Sequence, residues 1–144
     1  MKTVSQLLDA KGHDVWKIRS NATVFEALQL MAEKDIGALP VIDEDDLVGI
    51  FSERDYARKV ILAGKSSRET QVREIMTPSV TCVRSDSTIQ ECMTSMTERH
   101  IRHLPVRRGN TVVGVISIGD VVKAIIAEQG FIIEQLEGYI TGSR

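Results

Sequence analysis

Two stretches of this chain set a serine and an aspartate three residues apart, where an apolar run gives way to a helical pattern. One is Leu47-Val-Gly-Ile-Phe-Ser-Glu-Arg-Asp55; the other is Val112-Val-Gly-Val-Ile-Ser-Ile-Gly-Asp120. A carboxylate accepts hydrogen bonds from both hydroxyls of a ribose at once, which a shorter or neutral side chain does less well. A hydroxyl at a helix start lies among free amides, where the helix dipole favours an anion. Asp55 and Asp120 are therefore candidates to hold a sugar, and Ser52 and Ser117 to hold a phosphate. The same spacing also describes a capping box, in which the pair only satisfies its own helix. Both roles can coexist. Arg54, one turn in, either adds a charged bond to a phosphate or sits solvated on the helix surface.

The two stretches belong to a longer duplication. A shift of 65 places lays Thr23 on Thr88, Met31 on Met96, Ile36 on Ile101, Leu39-Pro40-Val41 on Leu104-Pro105-Val106, and Asp55 on Asp120. Residues 23–61 match 88–126 without a gap, with 13 of 39 positions identical. Chance gives roughly one match in fifteen for ordinary residue usage. Upstream the match continues with a three-residue slip, setting Val4, Leu7 and Leu8 over Val72, Ile75 and Met76. Two units are too few for a solenoid and must bury their apolar faces against each other.

The elements that position the motifs follow in order. Val4, Leu7 and Leu8 predict a short helical turn, and Trp16 to Ile18 a short strand. Thr23-x-x-Glu26 and Thr88-x-x-Glu91 are capping-box patterns. Behind them Val24, Ala27, Leu28 and Met31, then Ile89, Cys92, Met93 and Met96, recur at helical spacing. Leu39 to Ile42 and Leu47 to Phe51 predict a hairpin around Asp43-Glu-Asp-Asp46. Leu104 to Arg107 and Val112 to Ile116 predict another around Arg108-Gly-Asn110. Val80 to Val83 reads as a strand. Helices are expected from about Glu53 to Leu62 and from near Ile118. Residues 63–70 read as the connector. Beyond Gly130, the apolar stripe of Phe131, Ile132, Leu136, Tyr139 and Ile140 must pack on its own domain or on a second copy. The expected division is 1–66, 67–129 and a helical tail over 130–144.

Composition narrows the function. The chain has 144 residues, 42% of them hydrophobic and 26% charged, with a net charge of -2. This describes a soluble globular protein without the basic face that broad nucleic-acid binding requires. There is no run of 18 apolar residues to span a membrane, and Met1-Lys-Thr-Val-Ser-Gln lacks a signal peptide's apolar core. A cytoplasmic location is expected, and the two cysteines, Cys82 and Cys92, suit it.

The order strand–helix–strand–strand–helix given twice, with Leu-Pro-Val in the middle and Gly-x-x-Ser-x-x-Asp before the last helix, resembles a tandem pair of cystathionine-β-synthase (CBS) domains. Phe51-Ser-Glu-Arg-Asp-Tyr56 and Glu74-Ile-Met-Thr77 also resemble the free-standing bacterial and organellar members. The resemblance implies an α+β (α/β) fold of two pseudo-symmetric β-α-β-β-α repeats packed through their sheets. It implies two clefts for adenine nucleotides, namely AMP first, then NAD and ATP, with ADP and S-adenosylmethionine also in the class. It further implies association into a homodimer, and a regulatory role that reports energy or redox state to an unidentified partner protein without catalysis.

On this resemblance Asp55 and Asp120 hold ribose. Arg102 and His103, just before Leu104-Pro105, match positions that meet phosphates; Gly37 and Ala38 stand there in unit one and leave room instead. The clefts should therefore differ in phosphate affinity. Thr23 and Thr88 can cap or reach phosphate. Ile18, Val83, Pro40 and Pro105 can wall an adenine or simply be core, and Ser20 belongs with the same set. His13, His100 and His103 do not form a metal set with the cysteines at zinc spacing. No Walker, G-x-S-x-G or G-x-G-x-x-G pattern occurs. A protein-interaction module with nucleotide secondary is the alternative, and a small hydrolase is the least supported reading.

Overall fold

The computed structural model describes residues 2–141, with side chains described for all of these except 131, 132 and 139–141. Its elements are α1 (Val4–Lys11), α2 (Val24–Lys34), β1 (Ala38–Asp43), β2 (Asp46–Ser52), α3 (Glu53–Tyr56), α4 (Val72–Ile75), β3 (Val83–Arg84), α5 (Ile89–Arg99), β4 (His103–Arg108), β5 (Thr111–Ser117) and α6 (Ile118–Thr141). Local sequence explains most of the boundaries. Thr3 and Thr23 cap α1 and α2 in reciprocal boxes with Gln6 and Glu26. Thr88 accepts from the Glu91 amide. The helices α2 and α5 stop where Asp35 and His100 turn left-handed, at φ 54° and 55°. These two residues occupy the same place in the two repeats.

Each hairpin is antiparallel and carries a bulge at the same place, between Val41 and Ile42 and between Val106 and Arg107. In the second repeat β3 adds to β4 in parallel. The first repeat keeps only the parallel bridge Ile18–Val41 at that place, so the strand expected over Trp16 to Ile18 shrinks to one bridge. The helix expected over Glu53 to Leu62 is α-helical for one turn and then widens into a π-helical turn over Ala57–Ile61. The α6 helix runs through Gly130 without a break. Phe131, Ile132, Tyr139 and Ile140 of the expected apolar stripe have side chains outside the described residues, whereas Leu136 is exposed.

The first helices are exchanged between the cores. Val4, Leu7 and Leu8 of α1 are buried with Ile89, Cys92, Met96, Leu104, Val106 and Ile116 of the second repeat. Val72 and Ile75 of α4 are buried with Val24, Ala27, Met31, Leu39, Val41 and Phe51 of the first. The backbone fixes both crossings in the same way. Val4 and Ser5 donate to the carbonyls of Ser87 and Ser85, at 2.8 and 2.9 Å, and Val72 and Arg73 donate to Ala22 and Ser20, also at 2.8 and 2.9 Å.

This exchange explains the glycine that both repeats carry in mid-strand. A Cβ on Gly114 would stand 2.7 Å from Leu8 of α1, and one on Gly49 would stand 2.6 Å from Met76, just past α4. Each hairpin is kept bare where the crossing helix of the other half lies against it.

Candidate functional site: two unequal clefts

The crossing segments also line the clefts. One cavity, of about 310 Å3, opens at Asp55. Its walls are Ile50, Ser52, Glu53, Arg54 and Asp55 from the first repeat, Thr77, Ser79, Val80 and Thr81 from the segment after α4, and Ile101, Arg102 and His103 from the second repeat, with Gly37 at the shared edge. A second cavity, of about 410 Å3, opens at Asp120. It is walled by Val115, Ser117 and Asp120, by Lys11, Gly12, Asp14 and Trp16 after α1, and by Lys34, Asp35, Ile36, Gly37, Ala38 and His103. The basic loop before β4 thus serves the first repeat's cleft, while His103 and Gly37 border both.

Both Ser-x-x-Asp motifs form capping boxes. Asp55 Oδ2 accepts from the Ser52 amide at 2.9 Å, and Asp120 Oδ2 accepts from the Ser117 amide at 2.8 Å. In return Ser52 Oγ and Ser117 Oγ accept from the aspartate amides at 3.2 Å. The remaining contacts differ. Asp55 Oδ1 accepts from Thr77 Oγ1 at 3.2 Å and pairs with Lys59 at 3.1 Å. Lys59 is held there by the π-helical turn and by the Ile75 carbonyl. Asp120 Oδ2 instead pairs with Lys11 of α1 at 2.6 Å, and the same ammonium donates to the Val115 carbonyl at 2.7 Å. Burial pushes the Asp120 carboxyl up, but Lys11 and the Ser117 amide outweigh it and hold the group below its ordinary value.

His103 is held below the usual imidazole range, first by burial and then by Lys11; the charge of Asp120 opposes this, and Arg102 adds to it. Gly37 lies between this ring and Glu53: a Cβ there would meet Glu53 Oε1 at 2.9 Å and His103 Nε2 at 3.3 Å. Arg54 lines the Asp55 cleft and donates to the His100 carbonyl at 3.0 Å, tying the halves together. At the Asp120 cleft the Lys34 ammonium lies over the Trp16 ring, 4.1 Å from its centre.

Of the residues named from sequence, Gly37, Ser52, Arg54, Asp55, Arg102 and His103 meet at the first cleft, and Gly37, Ala38, His103, Ser117 and Asp120 at the second. The others line neither. Ile18 bridges Val41 and packs on the first core, and Val83 pairs with Val106 and packs on the second. Pro40 and Pro105 are buried mid-strand opposite Ile50 and Val115. Thr23 and Thr88 cap their helices, and Ser20 donates its amide and hydroxyl to Asp43. Sequence reasoning missed Thr77, Ser79, Val80 and Thr81, and likewise Lys11, Asp14 and Trp16. The signal was that both sets lie in equivalent stretches, 9–17 and 77–82, between the match of Leu8 with Met76 and that of Ile18 with Val83.

The apolar side of the first cleft, Ile50, Val80 and Ile101, suits a flat ring, and its hydroxyls and guanidinium groups suit a sugar phosphate. Among the described residues no cluster of three or more His, Cys, Asp or Glu could hold a metal ion, and no helix is long and apolar enough to cross a membrane.

The CBS-domain family model matches this chain twice, over residues 8–61 and 72–127, and the chain belongs to that family as a CBS-domain pair with a mixed helix and strand fold. A CBS pair is a regulatory module. A putative signal-transduction protein with CBS domains from Burkholderia ambifaria is 50% identical, with a TM-score of 0.85 over 89% of this chain and 96% of that one. The mitochondrial CBS domain-containing protein CBSX3 of Arabidopsis thaliana is 35% identical over 97% of this chain and 72% of its own length. The CBS domain pair of protein MJ0100, solved in complex with 5-methylthioadenosine and S-adenosyl-L-methionine, is 25% identical, with a TM-score of 0.76 over 89% of this chain and 98% of that one.

Proposed function

We propose that this protein is a nucleotide-sensing regulatory module. It takes an adenine nucleotide, AMP before NAD or ATP, into the inter-repeat clefts and passes the bound state to a partner protein without catalysis. The observation that carries this reading is the composition of the clefts: each is built from both repeats, so a ligand in either touches both halves and biases their arrangement. The adenosine-type ligands named for the MJ0100 pair support the ligand class. Ile61 and Ile126 occupy the same repeat position and are 55% and 63% exposed, and Leu62 and Val122 are exposed near them in sequence. Such residues suit a homodimer. A cytoplasmic site of action, without nucleic acid or membrane, completes the reading.

Calorimetry with AMP, ADP, ATP, NAD and S-adenosylmethionine tests it. Saturable binding of at least one is expected, and no heat from any at millimolar concentration overturns it. The second reading, a protein-interaction module, is favoured by the exposed Ile133 and Leu136 on α6. Capture of a partner that is indifferent to nucleotide distinguishes it.

A further inference from the structure

We infer that Lys11 makes the Asp120 cleft selective for phosphorylated adenosine over the neutral nucleoside. The inference rests on the reading that this cleft holds an adenosine-type ligand through Asp120. One oxygen of the carboxylate a ribose would use is already engaged: Lys11 lies 2.6 Å from Asp120 Oδ2, the same oxygen that accepts the Ser117 amide. A neutral nucleoside that sets both ribose hydroxyls on Asp120 must compete with that ammonium for Oδ2, on a carboxylate whose side chain is only 21% exposed. Lys11 is then left with the Val115 carbonyl alone. A nucleotide brings its own replacement anion. The Lys11 side chain is long, flexible and 39% exposed, so its ammonium can pass from the carboxylate to a phosphate entering the same cleft.

The surroundings make Lys11 the deciding charge. Besides Asp120, the cleft is lined by Asp14 and Asp35, which repel a phosphate. Its other lysine, Lys34, is engaged with the Trp16 ring and with Glu33 at 3.6 Å. The first cleft has no such device. The segment after α4 gives that cleft only uncharged residues, Thr77, Ser79, Val80 and Thr81, and Lys59, which neutralises Asp55, is not among the lining residues. A neutral hydroxyl, Thr77, takes the crossing segment's place on that carboxylate.

Trp16 provides the readout, since it is the chain's only tryptophan and lines this cleft alone of the two. The full chain is titrated with adenosine and with AMP, following Trp16 emission and heat. AMP is expected to bind the wild type at least about tenfold more tightly than adenosine. In Lys11→Met, adenosine should tighten and AMP weaken, each by roughly fivefold, so the preference collapses; Lys11→Arg should retain it. A Lys11→Met change that moves both ligands equally, or neither, overturns the inference. Heat from AMP that Asp55→Ala abolishes, with Trp16 silent throughout, also overturns it but leaves the proposed function standing. No binding of either ligand to wild type or variant overturns both.

Discussion

Thr77 Oγ1 donates to Asp55 Oδ1 across 22 residues of chain, at 3.2 Å. Through this bond the segment that follows one crossing helix touches the acid at the heart of the other half's cleft. Asp55 also caps its helix and pairs with Lys59, and it is 7% exposed. Changes at this acid should therefore report on stability and on ligand together.

Asp55→Ala removes the partner of Lys59 and Thr77 and half of a capping box. A loss of about 1–2 kcal/mol is expected on these grounds, read as a lower urea midpoint. Calorimetry on the same variant should show one nucleotide fewer per chain. Unchanged stoichiometry would sink the ribose assignment at this position and leave Asp55 only its capping and ion-pair roles.

The two mid-strand glycines should resist enlargement unequally. Gly114→Ala drives a methyl against the flexible end of Leu8, whereas Gly49→Ala meets Met76 and the Thr77 carbonyl at 3.0 Å, which is backbone. Overpacking of this kind costs about 1–3 kcal/mol. Gly49→Ala should lie at the upper end and also disturb the Asp55 cleft, as thermal unfolding and AMP titration would record.

Acid should weaken the fold in two separate windows. His103 has a folded value below 6.5, its ordinary value, so its contribution is complete above 6.5 and is lost as pH falls from there towards the folded value. The charged groups facing the ring are Lys11, Asp120 and Arg102, with Glu53 across Gly37. Asp120 is depressed below 3.8, so the stability it shares with Lys11 persists above 3.8 and disappears as pH falls through its folded value. Urea midpoints for wild type and His103→Gln should differ in slope between pH 7.5 and 5.5. Parallel curves would dismiss the imidazole as the cause.

Cys92 is fully buried and its thiol is pushed up to about 11, first by burial and then by Glu91. A thiol reagent at neutral pH should therefore reach only Cys82 in the native protein, and slowly, because burial raises that thiol as well. Both should react in urea. Rapid labelling of Cys92 without denaturant would mean that the α5 face opens readily.

Most of the local architecture was legible in the sequence because it is written locally. Thr23, Thr88, Ser52 and Ser117 announce their helices by capping chemistry, and the apolar periods behind them announce the buried faces. Asp55 and Asp120 could be named for the same reason: a repeated motif marks its position. The destinations of Val4, Leu7 and Leu8 were not legible. An apolar stripe states that a face is buried but not against what, and the partners of α1 lie some 80 residues or more along the chain. Lys11 and Thr77 escaped with it, since only the crossing brings them to a cleft. The π-helical turn that presents Lys59 to Asp55 has no marker in residue type. Pro40 and Pro105 sat in a recognised motif, but whether a residue near a cleft faces it or the core depends on the strand's roll, which spacing alone does not give.

The exchange of α1 and α4 means that neither half of this polypeptide carries everything needed to close over its own interior. A nick at Gly64, in an exposed stretch of the connector, would yield two fragments clasped like interlocked hands. Each would hold the other's missing piece, and neither could be drawn away without baring the other's oily centre to water. Severing the loop between them should thus leave one particle rather than two.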